Sequence, residues 1–399
     1  MKLQRALKTR LDLTPAQAEV LARHGGAARF VYNWGLEQRQ QAFNATGKGL
    51  SYPQQNRALT ELKQENPWLH ELSKWVGQDA LRRLDTAFGN FFRDAKKSGK
   101  RKSRYPQFKK KVKRNDSFSF PAWSGPQVLV KVEGKRVCLP KIGWLKCYES
   151  IGAKIPADAK LLSATVSQVG AYWNVSLCYE LERTPPQHDG PAVGVDVGIK
   201  SLAVLSDGVT FENSKHLRHA QKVLRRLQRS VSRKQKGSAK RQKAVLRLAN
   251  WHGKVANQRK DALHKLTTSL AKTYSLICIE DLNVSGMVKN HALAGSLSDC
   301  GFGELRRQLE YKAPYWGGTV AVIDRFFPSS KTCSVCGTVN ESLTLGTRHW
   351  RCACGVEHDR DLNAARNILA VGLTVLARRP DGSGLAVMPG ETVSNEAGI

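Results

Sequence analysis

The sequence lacks long apolar runs. No stretch of about 18 consecutive apolar residues occurs among the 399 residues, so no transmembrane helix is predicted. The basic start at residues 1–10 is not followed by the apolar core of a secretory signal. These absences predict a soluble protein that stays in the cytoplasm and has no membrane partner.

Acidic residues are also scarce, with 33 Asp and Glu against 64 Lys and Arg. The formal net charge at pH 7 is +31. A surface this positive repels itself unless it meets a polyanion, which predicts a nucleic-acid partner. The apolar fraction of 41% is ordinary for globular proteins, so the charge covers folded domains. At roughly 150 residues per domain, the length allows two to four of them.

The first half of the chain changes from a helical to a strand pattern. Thr14-Pro15-Ala16-Gln17 has the residues of a helix start, and Gly25-Gly26 predicts a kink or a break beyond it. Apolar residues recur at three- and four-residue steps over 73–97, so the first helices are predicted to form a bundle. Short alternating runs over 118–181 predict an antiparallel barrel or sandwich.

Residues 96–114 are densely basic. Tyr105 and Phe108 are interleaved with the charges, and Lys109, Lys110 and Lys111 follow them. We interpret this segment as a contact with a phosphate backbone, in which the aromatic rings stack on bases. The alternative is a solvated surface loop, which is the usual meaning of a single charge run.

The second half reads as a mixed α/β domain. Residues 182–191 contain Pro185-Pro186 and Asp189-Gly190 and are predicted to be the main linker. Short apolar strands then alternate with helical segments, and the helices over 215–274 carry Lys and Arg on their outer faces. The end of the chain, residues 373–399, is predicted to be a flexible tail.

Three acidic residues lie at the edges of core elements in this half. Asp196 lies in an apolar strand, Glu280 ends another, and Asp361 lies where a loop enters a helix. A buried carboxylate is costly unless a cation pairs with it, so the three together predict two Mg²⁺ ions acting on a phosphodiester. One ion would activate a water and the other would stabilise the leaving oxygen. Asp281 could replace Glu280, and Asp359 could replace Asp361.

Four of the nine cysteines are clustered in two knuckles, separated by residues 337–351. This spacing predicts a structural Zn²⁺ site with thiolate ligands. The second knuckle is one residue shorter than usual, so His349 or His358 could replace one thiolate. The four cysteines are Cys333, Cys336, Cys352 and Cys354.

Six motifs follow one another along nearly the whole chain. They are YPQFKKK at 105–111, GVDVGIK at 194–200, IEDLNV at 279–284, LEYKA at 309–313, PSSKTCSVCG at 328–337 and HDRDLNAA at 358–365. In this order they resemble the TnpB family, the OrfB-type proteins of insertion-sequence transposons. That family is similar in turn to the type V CRISPR effector nucleases.

The resemblance implies a multidomain α+β architecture. An N-terminal antiparallel β-barrel of the wedge type would carry an inserted helical recognition bundle with its basic loop. An RNase-H-like α/β RuvC nuclease domain would follow, with an inserted zinc ribbon. The implied boundaries are 1–13 and 116–190 for the barrel, 14–115 for the bundle, 191–328 and 357–372 for the nuclease, 329–356 for the ribbon and 373–399 for the tail.

The resemblance also implies an RNA-guided double-stranded DNA endonuclease that carries a transposon-encoded guide RNA. It would recognise a short target-adjacent motif and cut by two-metal hydrolysis at a single RuvC site, with Asp196, Glu280 and Asp361 as catalytic and magnesium-binding residues. It favours Asp361 over Asp359. The four clustered cysteines would hold the zinc.

Motif reading would require protein side chains. Lys74 and Gln78 lie one helical turn apart and are candidates, because Gln can pair bidentately with adenine; Tyr52 is a further candidate. Taken singly, Lys74 or Gln78 is more often an ordinary solvated side chain.

Two other functions also fit the sequence. One is a structure-specific RuvC-type nuclease that works without a guide, although the long basic helices exceed what such an enzyme needs. The other is a non-catalytic zinc-ribbon protein that binds nucleic acid and regulates transposition. The retention of three carboxylates in apolar settings argues against it.

Overall fold

The computed structural model describes residues 2–95, 104–111, 116–344 and 346–377. The chain divides into two compact units between Arg183 and Thr184, inside the predicted linker. The first unit contains β1 (Lys2–Asp12), α1 (Pro15–Thr46), α2 (Tyr52–Glu65), α3 (Lys74–Ala95), β2 (Ser117–Pro121), β3 (Trp123–Ser124), β4 (Gln127–Val128), β5 (Lys131–Glu133), β6 (Arg136–Leu139), β7 (Gly143–Cys147), β8 (Lys160–Val169) and β9 (Tyr172–Glu182).

Helix α1 begins at the predicted capping box. The Thr14 hydroxyl accepts from the Gln17 amide at 3.3 Å, and the Gln17 side chain accepts from the Thr14 amide at 3.0 Å. The predicted break at Gly25-Gly26 is wrong, because α1 continues through both residues. Gly25 serves packing instead: a Cβ there would lie 2.6 Å from the Cβ of Asp116.

Seven strands of this unit form one antiparallel sheet, in the order β2-β8-β9-β1-β7-β6-β5. Strand β1 pairs with β9 and β7, so residues 2–12 complete a sheet built mostly from residues beyond 116. Strands β3 and β4 form a separate short hairpin. The sheet has an apolar core in which Phe118 and Phe120 are fully buried.

The predicted wedge-type β-barrel is not confirmed as a closed one: β2 and β5 remain sheet edges, and no pairing joins them in the part of the chain that the structure describes. Helix α3 accounts for the β2 edge. The Ser119 amide donates to Asp79 Oδ2 at 2.9 Å, and Arg83 Nη2 donates to the Ser119 hydroxyl at 2.6 Å. Side chains of α3 therefore bind the edge that a closing strand would need.

The second unit contains a mixed five-stranded sheet and helices on both of its faces. Its elements are β10 (Ala192–Asp196), β11 (Ser201–Leu205), β12 (Thr210–Glu212), α4 (His216–Ser232), α5 (Ala239–Thr273), β13 (Leu276–Glu280), α6 (Val284–Met287), α7 (Ala294–Cys300), α8 (Phe302–Tyr315), β14 (Thr319–Ile323), β15 (His349–Arg351), β16 (Glu357–Asp359) and α9 (Arg360–Ala377).

This sheet has the order β12-β11-β10-β13-β14, with β10, β13 and β14 parallel. One face buries Val193 and Ile277 against α5 and α8, and the other buries Cys278 against Ile368 of α9. The predicted mixed α/β organisation is confirmed. Gly194 allows α9 to lie close to β10, since a Cβ there would collide with the Ala365 carbonyl oxygen.

Two predicted boundaries change in this unit. Helix α9 continues to Ala377, so the tail predicted to begin at 373 is wrong for residues 373–377. The helix continues because Leu376 packs against the apolar cluster beneath α9. Residues 378–399 lie outside the described residues. Strand β16 pairs with β15, so a boundary between 356 and 357 would divide a paired hairpin.

Among the described helices, none combines the length and the apolar character that crossing a membrane requires.

Candidate active site and metal centre

Asp196 and Glu280 end neighbouring parallel strands. The register pairs Val195 with Ile279, so the next residues lie side by side at the carboxyl edge of the sheet. Side chains alternate along a strand, so Asp196 shares a face with Gly194, and Glu280 shares a face with Cys278. Because Gly194 and Cys278 lie against α9, both carboxylates belong to the face that α9 covers.

Helix α9 brings the third acid to this edge. The Ala365 carbonyl lies against Gly194, and Asp361 is one helical turn earlier, in the first turn of α9. Burial raises the pKa of Asp196 to about 7, and the charges of Glu280 and Asp361 add to the rise. The structure therefore brings the three predicted carboxylates into one electrostatic environment.

The two alternative acids have other contacts. Hydrogen bonds from Arg306 and Arg325 lower the pKa of Asp281. Asp359 caps α9, because its Oδ1 accepts from the amide of Asp361 at 3.0 Å and from that of Leu362 at 2.9 Å. Glu280 and Asp361 are favoured because their charges raise the pKa of Asp196, whereas Asp281 and Asp359 are not among the causes of that rise.

Two contacts at these acids were not predicted from the sequence. The Ser329 hydroxyl donates to Glu280 Oε1, while burial raises the pKa of Glu280. Arg348 Nη1 lies 3.2 and 3.4 Å from the two carboxylate oxygens of Asp361. Ser329 belongs to the 328–337 motif and could have been noticed there, whereas none of the motifs contains Arg348.

The four predicted cysteines form a single cluster. Their sulfur atoms all lie within 4.8 Å of one another. The Sγ atoms are separated by 3.6 Å between Cys336 and Cys352, and by 3.8 Å between Cys333 and Cys354. Tetrahedral coordination with Zn–S bonds of about 2.3 Å separates sulfurs by about 3.8 Å, so the spacing fits zinc.

The four sulfur atoms come together without a contribution from either histidine. His349 is 80% exposed in its side chain and faces Asp359, at 4.0 Å. His358 is buried, and its Nε2 lies 3.1 Å from the Cys333 sulfur, as a neighbour of that ligand.

Two asparagines of α9 connect the cysteine cluster to the carboxylates. Asn363 Nδ2 donates to the Thr332 carbonyl at 2.7 Å, and its Oδ1 accepts from the Ser334 amide at 2.9 Å. Asn367 Nδ2 donates to the Ser329 carbonyl at 2.8 Å. Helix α9 therefore holds the segment that carries both Ser329, the partner of Glu280, and Cys333 of the cysteine cluster.

The three candidates for motif reading have different surroundings. Gln78 lines a cleft of about 260 Å³ between α3 and β2, together with Arg82 and Ser119. Tyr52 is partly buried against the helical core. The Lys74 ammonium lies 5.0 Å from the centroid of the Trp75 ring, at the start of α3.

The aromatic residues of the basic segment are about half exposed, with Tyr105 at 42% and Phe108 at 49%. The Tyr105 ring packs edge-on against Phe88 and Phe91, with centroids 5.5 and 5.4 Å away. That packing fixes one edge of Tyr105, whereas Phe108 has a larger exposed surface.

The three lysines that follow are exposed. Lys109 Nζ lies 4.0 Å from the centroid of the Tyr32 ring, and its backbone binds the Asn33 side chain in both directions. The other two lysines, Lys110 and Lys111, are also exposed. Residues 96–103 and 112–114 of the predicted basic segment lie outside the described residues.

Helix α4 has the basic outer face that the sequence predicts. A cleft of about 480 Å³ along it is lined mainly by positive side chains. Such a surface suits a run of phosphates. Its positive side chains belong to Lys222, Arg225, Arg226, Arg229, Arg233 and Lys234.

Family models match three parts of the chain. "Probable transposase" (OrfB_IS605) matches residues 176–291, which contain Asp196 and Glu280. "Cas12f1-like, TNB domain" matches 302–368, which contain Asp361 and the four cysteines. "Helix-turn-helix domain" matches 1–48, where the structure has strand β1 and the single long helix α1.

Relatives extend the match to nearly the whole chain. A Streptomyces pristinaespiralis protein named "Putative RNA-guided DNA endonuclease" is 41% identical over 383 residues, covering 94% of this chain and 91% of that protein. The chain belongs to the TnpB family. Another relative is "Putative RNA-guided DNA endonuclease InsQ" of Escherichia coli K12, at 36% identity over 396 residues and 94% of each chain.

A solved structure shows that the fold is shared. The chain matches the protein in the cryo-EM structure of the Cas12f1-sgRNA-target DNA complex with a TM-score of 0.53 and 14% identity. The match covers 92% of this chain and 98% of that one. At this identity the likeness establishes only the fold, and TnpB-family chemistry must be argued from the residues.

Proposed function

We propose that this TnpB-family protein is an RNA-guided double-stranded DNA endonuclease associated with a transposon, and that Asp196, Glu280 and Asp361 carry its chemistry. The observation that carries the assignment of the site is the pKa of Asp196, which burial and two neighbouring acids raise to about 7. Such crowding of partly buried carboxylates is unfavourable without a cation and is characteristic of functional sites.

The donor set fits Mg²⁺, because hard divalent cations prefer carboxylate oxygens. Asp196, Glu280 and Asp361 would hold two ions, which when bound supply the positive charge that activates a water and stabilises the leaving oxygen. Ser329 fixes one oxygen of Glu280 by its hydrogen bond. Arg348 balances the charge of Asp361, and a guanidinium at that position can also bind a phosphate oxygen of the substrate.

The domain assignments rest on the same geometry. The five-stranded sheet with Asp196 on its central strand supports an RNase-H-like RuvC domain over 191–328 and 357–372. The cysteine cluster supports a zinc ribbon at 329–356, in which four thiolates would leave Zn²⁺ no open position and so make it structural. The open sheet at 2–12 and 117–182 and the helices at 15–95 would be the wedge and recognition parts.

The guide RNA and the DNA target are proposed as partners because the chain has a basic surface and because its relatives are named as RNA-guided enzymes. The relatives are named as RNA-guided DNA endonucleases, and the Cas12f1 structure contains guide RNA and target DNA. Helix α4 supplies a phosphate-binding face in this chain, which would hold a nucleic-acid backbone without reading its sequence. Gln78 in the cleft between α3 and β2 is the best placed of the three motif-reading candidates, because its amide can pair with adenine.

The test is cleavage by the full chain purified with its co-expressed RNA. The complex is given Mg²⁺ and a plasmid library in which a matching target lies beside randomised flanks. We expect cutting that requires the match and one flanking motif, and that is lost in Asp196→Ala but kept in Asp261→Ala. Asp261 is an exposed acid of α5 and serves as the matched control.

Each other outcome contradicts the proposal in its own way. Cutting that depends on Asp196 but ignores the guide would establish a structure-specific nuclease. Defined RNA binding without cutting of any library member would favour a non-catalytic regulator.

A further inference from the structure

The turn after β14 carries an unusually exposed aromatic residue. Phe326 is 85% exposed, the highest value for a large apolar side chain in the described part of the chain. The next values are 65% for Val335 and 58% for Phe43. Single exposed apolar residues are common, so the surroundings of Phe326 decide whether its exposure has a function.

The turn that presents Phe326 is firmly held. The Phe326 amide donates to Asp324 Oδ1 at 2.7 Å, and the Ser329 amide donates to the Phe327 carbonyl at 2.8 Å. Arg325 is ion-paired with Asp281, and the Phe327 side chain packs against the cluster beneath α9. The neighbours of Phe326 are therefore anchored, and its ring is held in solvent by an ordered turn.

The same turn lies beside the carboxylates. Ile323, at the end of β14, pairs in register with Glu280, and the Ser329 hydroxyl donates to Glu280. Phe326 is three residues from Ile323 and three residues from Ser329, and three residues span at most about 11 Å. If a substrate phosphate binds at Glu280, the bases a few nucleotides along the same strand would therefore lie within reach of the Phe326 ring.

We propose that Phe326 is a stacking platform for an unpaired nucleobase close to the phosphate that is cut. Aromatic side chains bind single-stranded nucleic acid by stacking, and they do so without regard to base identity, as an RNA-guided enzyme requires. A base in an intact duplex is already stacked, so the ring selects a strand that has been separated. This inference depends on the proposed nuclease function.

The experiment uses the full chain with guide RNA and target DNA. Cutting by the unsubstituted protein in Mg²⁺ first locates the cleaved phosphates. 2-Aminopurine, whose fluorescence is quenched by stacking, is then placed at each position near the cut, and binding is measured in EDTA. We expect one or two positions at which Phe326→Ala raises the fluorescence severalfold and Phe326→Trp keeps it quenched.

Cleavage kinetics provide a second readout. Loss of one stacking contact at an exposed site should lower kcat/KM on the order of 5- to 10-fold in Phe326→Ala, with recovery in Phe326→Trp. Val209→Ala removes an exposed apolar side chain from the turn between β11 and β12, in the same unit, and should leave both readouts unchanged. Equal thermal unfolding of all variants would exclude a folding defect.

Two failures are distinguishable. If the unsubstituted protein does not cut, the proposed function is wrong. If it cuts, and Phe326→Ala changes neither the fluorescence at any position nor kcat/KM, the stacking role is wrong and the ring serves another contact.

Discussion

The carboxylate site and the cysteine cluster both depend on α9, but they are built in different ways. The cysteines come from two short knuckles, and their sulfurs already have the spacing of a tetrahedral zinc site. The carboxylates come from two strands and a helix that are distant in sequence, and burial together with the charges of Glu280 and Asp361 raises the pKa of Asp196 to about 7. Under the proposed function, the cysteine cluster would hold a permanent structural metal, and the carboxylates would hold exchangeable catalytic ions.

The largest effect should follow removal of a zinc ligand. Cys333→Ser leaves three thiolates, and structural zinc contributes on the order of 10 kcal/mol of binding free energy. We expect loss of bound zinc, measured by release to a colorimetric chelator, and loss of cutting. Cys138→Ser changes a half-buried single cysteine and should retain both. Normal cutting by zinc-free Cys333→Ser would contradict this prediction, because it would show that the carboxylate site works without the cysteine cluster.

Substitution of one carboxylate should have the next largest effect. Asp196→Asn keeps the shape of the side chain but removes a proposed ligand, and the metal contribution of several kcal/mol corresponds to a loss of about 10³-fold in cleavage rate or more. Zinc content and guide RNA binding should not change. A single-turnover rate within tenfold of the unsubstituted protein would contradict the assignment of Asp196.

The raised pKa of Asp196 can be tested through stability. Asp196 has a folded-state pKa of about 7 against an ordinary value of 3.8, so its contribution to stability is present at low pH and is lost as pH rises toward 7. Asp196→Asn avoids this loss. Between pH 5 and pH 8 in EDTA, the variant should gain up to about 3 kcal/mol relative to the unsubstituted protein.

Urea unfolding at both pH values measures that gain. Asp261→Asn, which changes an exposed acid, should show no such dependence on pH. Saturating Mg²⁺ should reduce the advantage of Asp196→Asn, because the cation stabilises the unsubstituted carboxylates. A stability difference that is the same at both pH values would show that Asp196 is not electrostatically strained.

The smallest effect is expected at the link between the two regions. Ser329→Ala removes the hydrogen bond to Glu280 while its backbone contact with Asn367 can persist. The Mg²⁺ concentration for half-maximal cutting should rise about 10-fold. Ser334→Ala is the control, since the Ser334 hydroxyl has no hydrogen-bond partner within the described residues. Equal shifts in both variants would indicate a general disturbance of the segment.

The sequence predicted much of both regions because their signals are local. The four cysteines follow from spacing, and Asp196 and Glu280 follow from apolar strands that end in an acid. The choice of Asp361 over Asp359 was different, because it needed the family resemblance. The structure supplies a physical reason: Asp359 caps α9, and that role depends on where the helix begins.

Tertiary contacts account for what the sequence did not predict. The sheet is open, and Asp79 and Arg83 of α3 bind its β2 edge, a contact between residues far apart in the chain. Gly25 looked like a helix break, yet it makes room for Asp116 within a continuous helix. The ion pair of Arg348 with Asp361 could not be predicted either, because Arg348 lies outside every motif and reaches Asp361 only in the folded chain.

The most direct test of the shared carboxylate site is Mn²⁺ binding to the full-length protein without nucleic acid, followed at pH 8 by electron paramagnetic resonance. The account predicts binding that is strongly weakened in Asp196→Asn, in Glu280→Gln and in Asp361→Asn, and unchanged in Asp281→Asn, because Asp281 is already paired with two arginines. Equal Mn²⁺ binding by the unsubstituted protein and all four variants would contradict it.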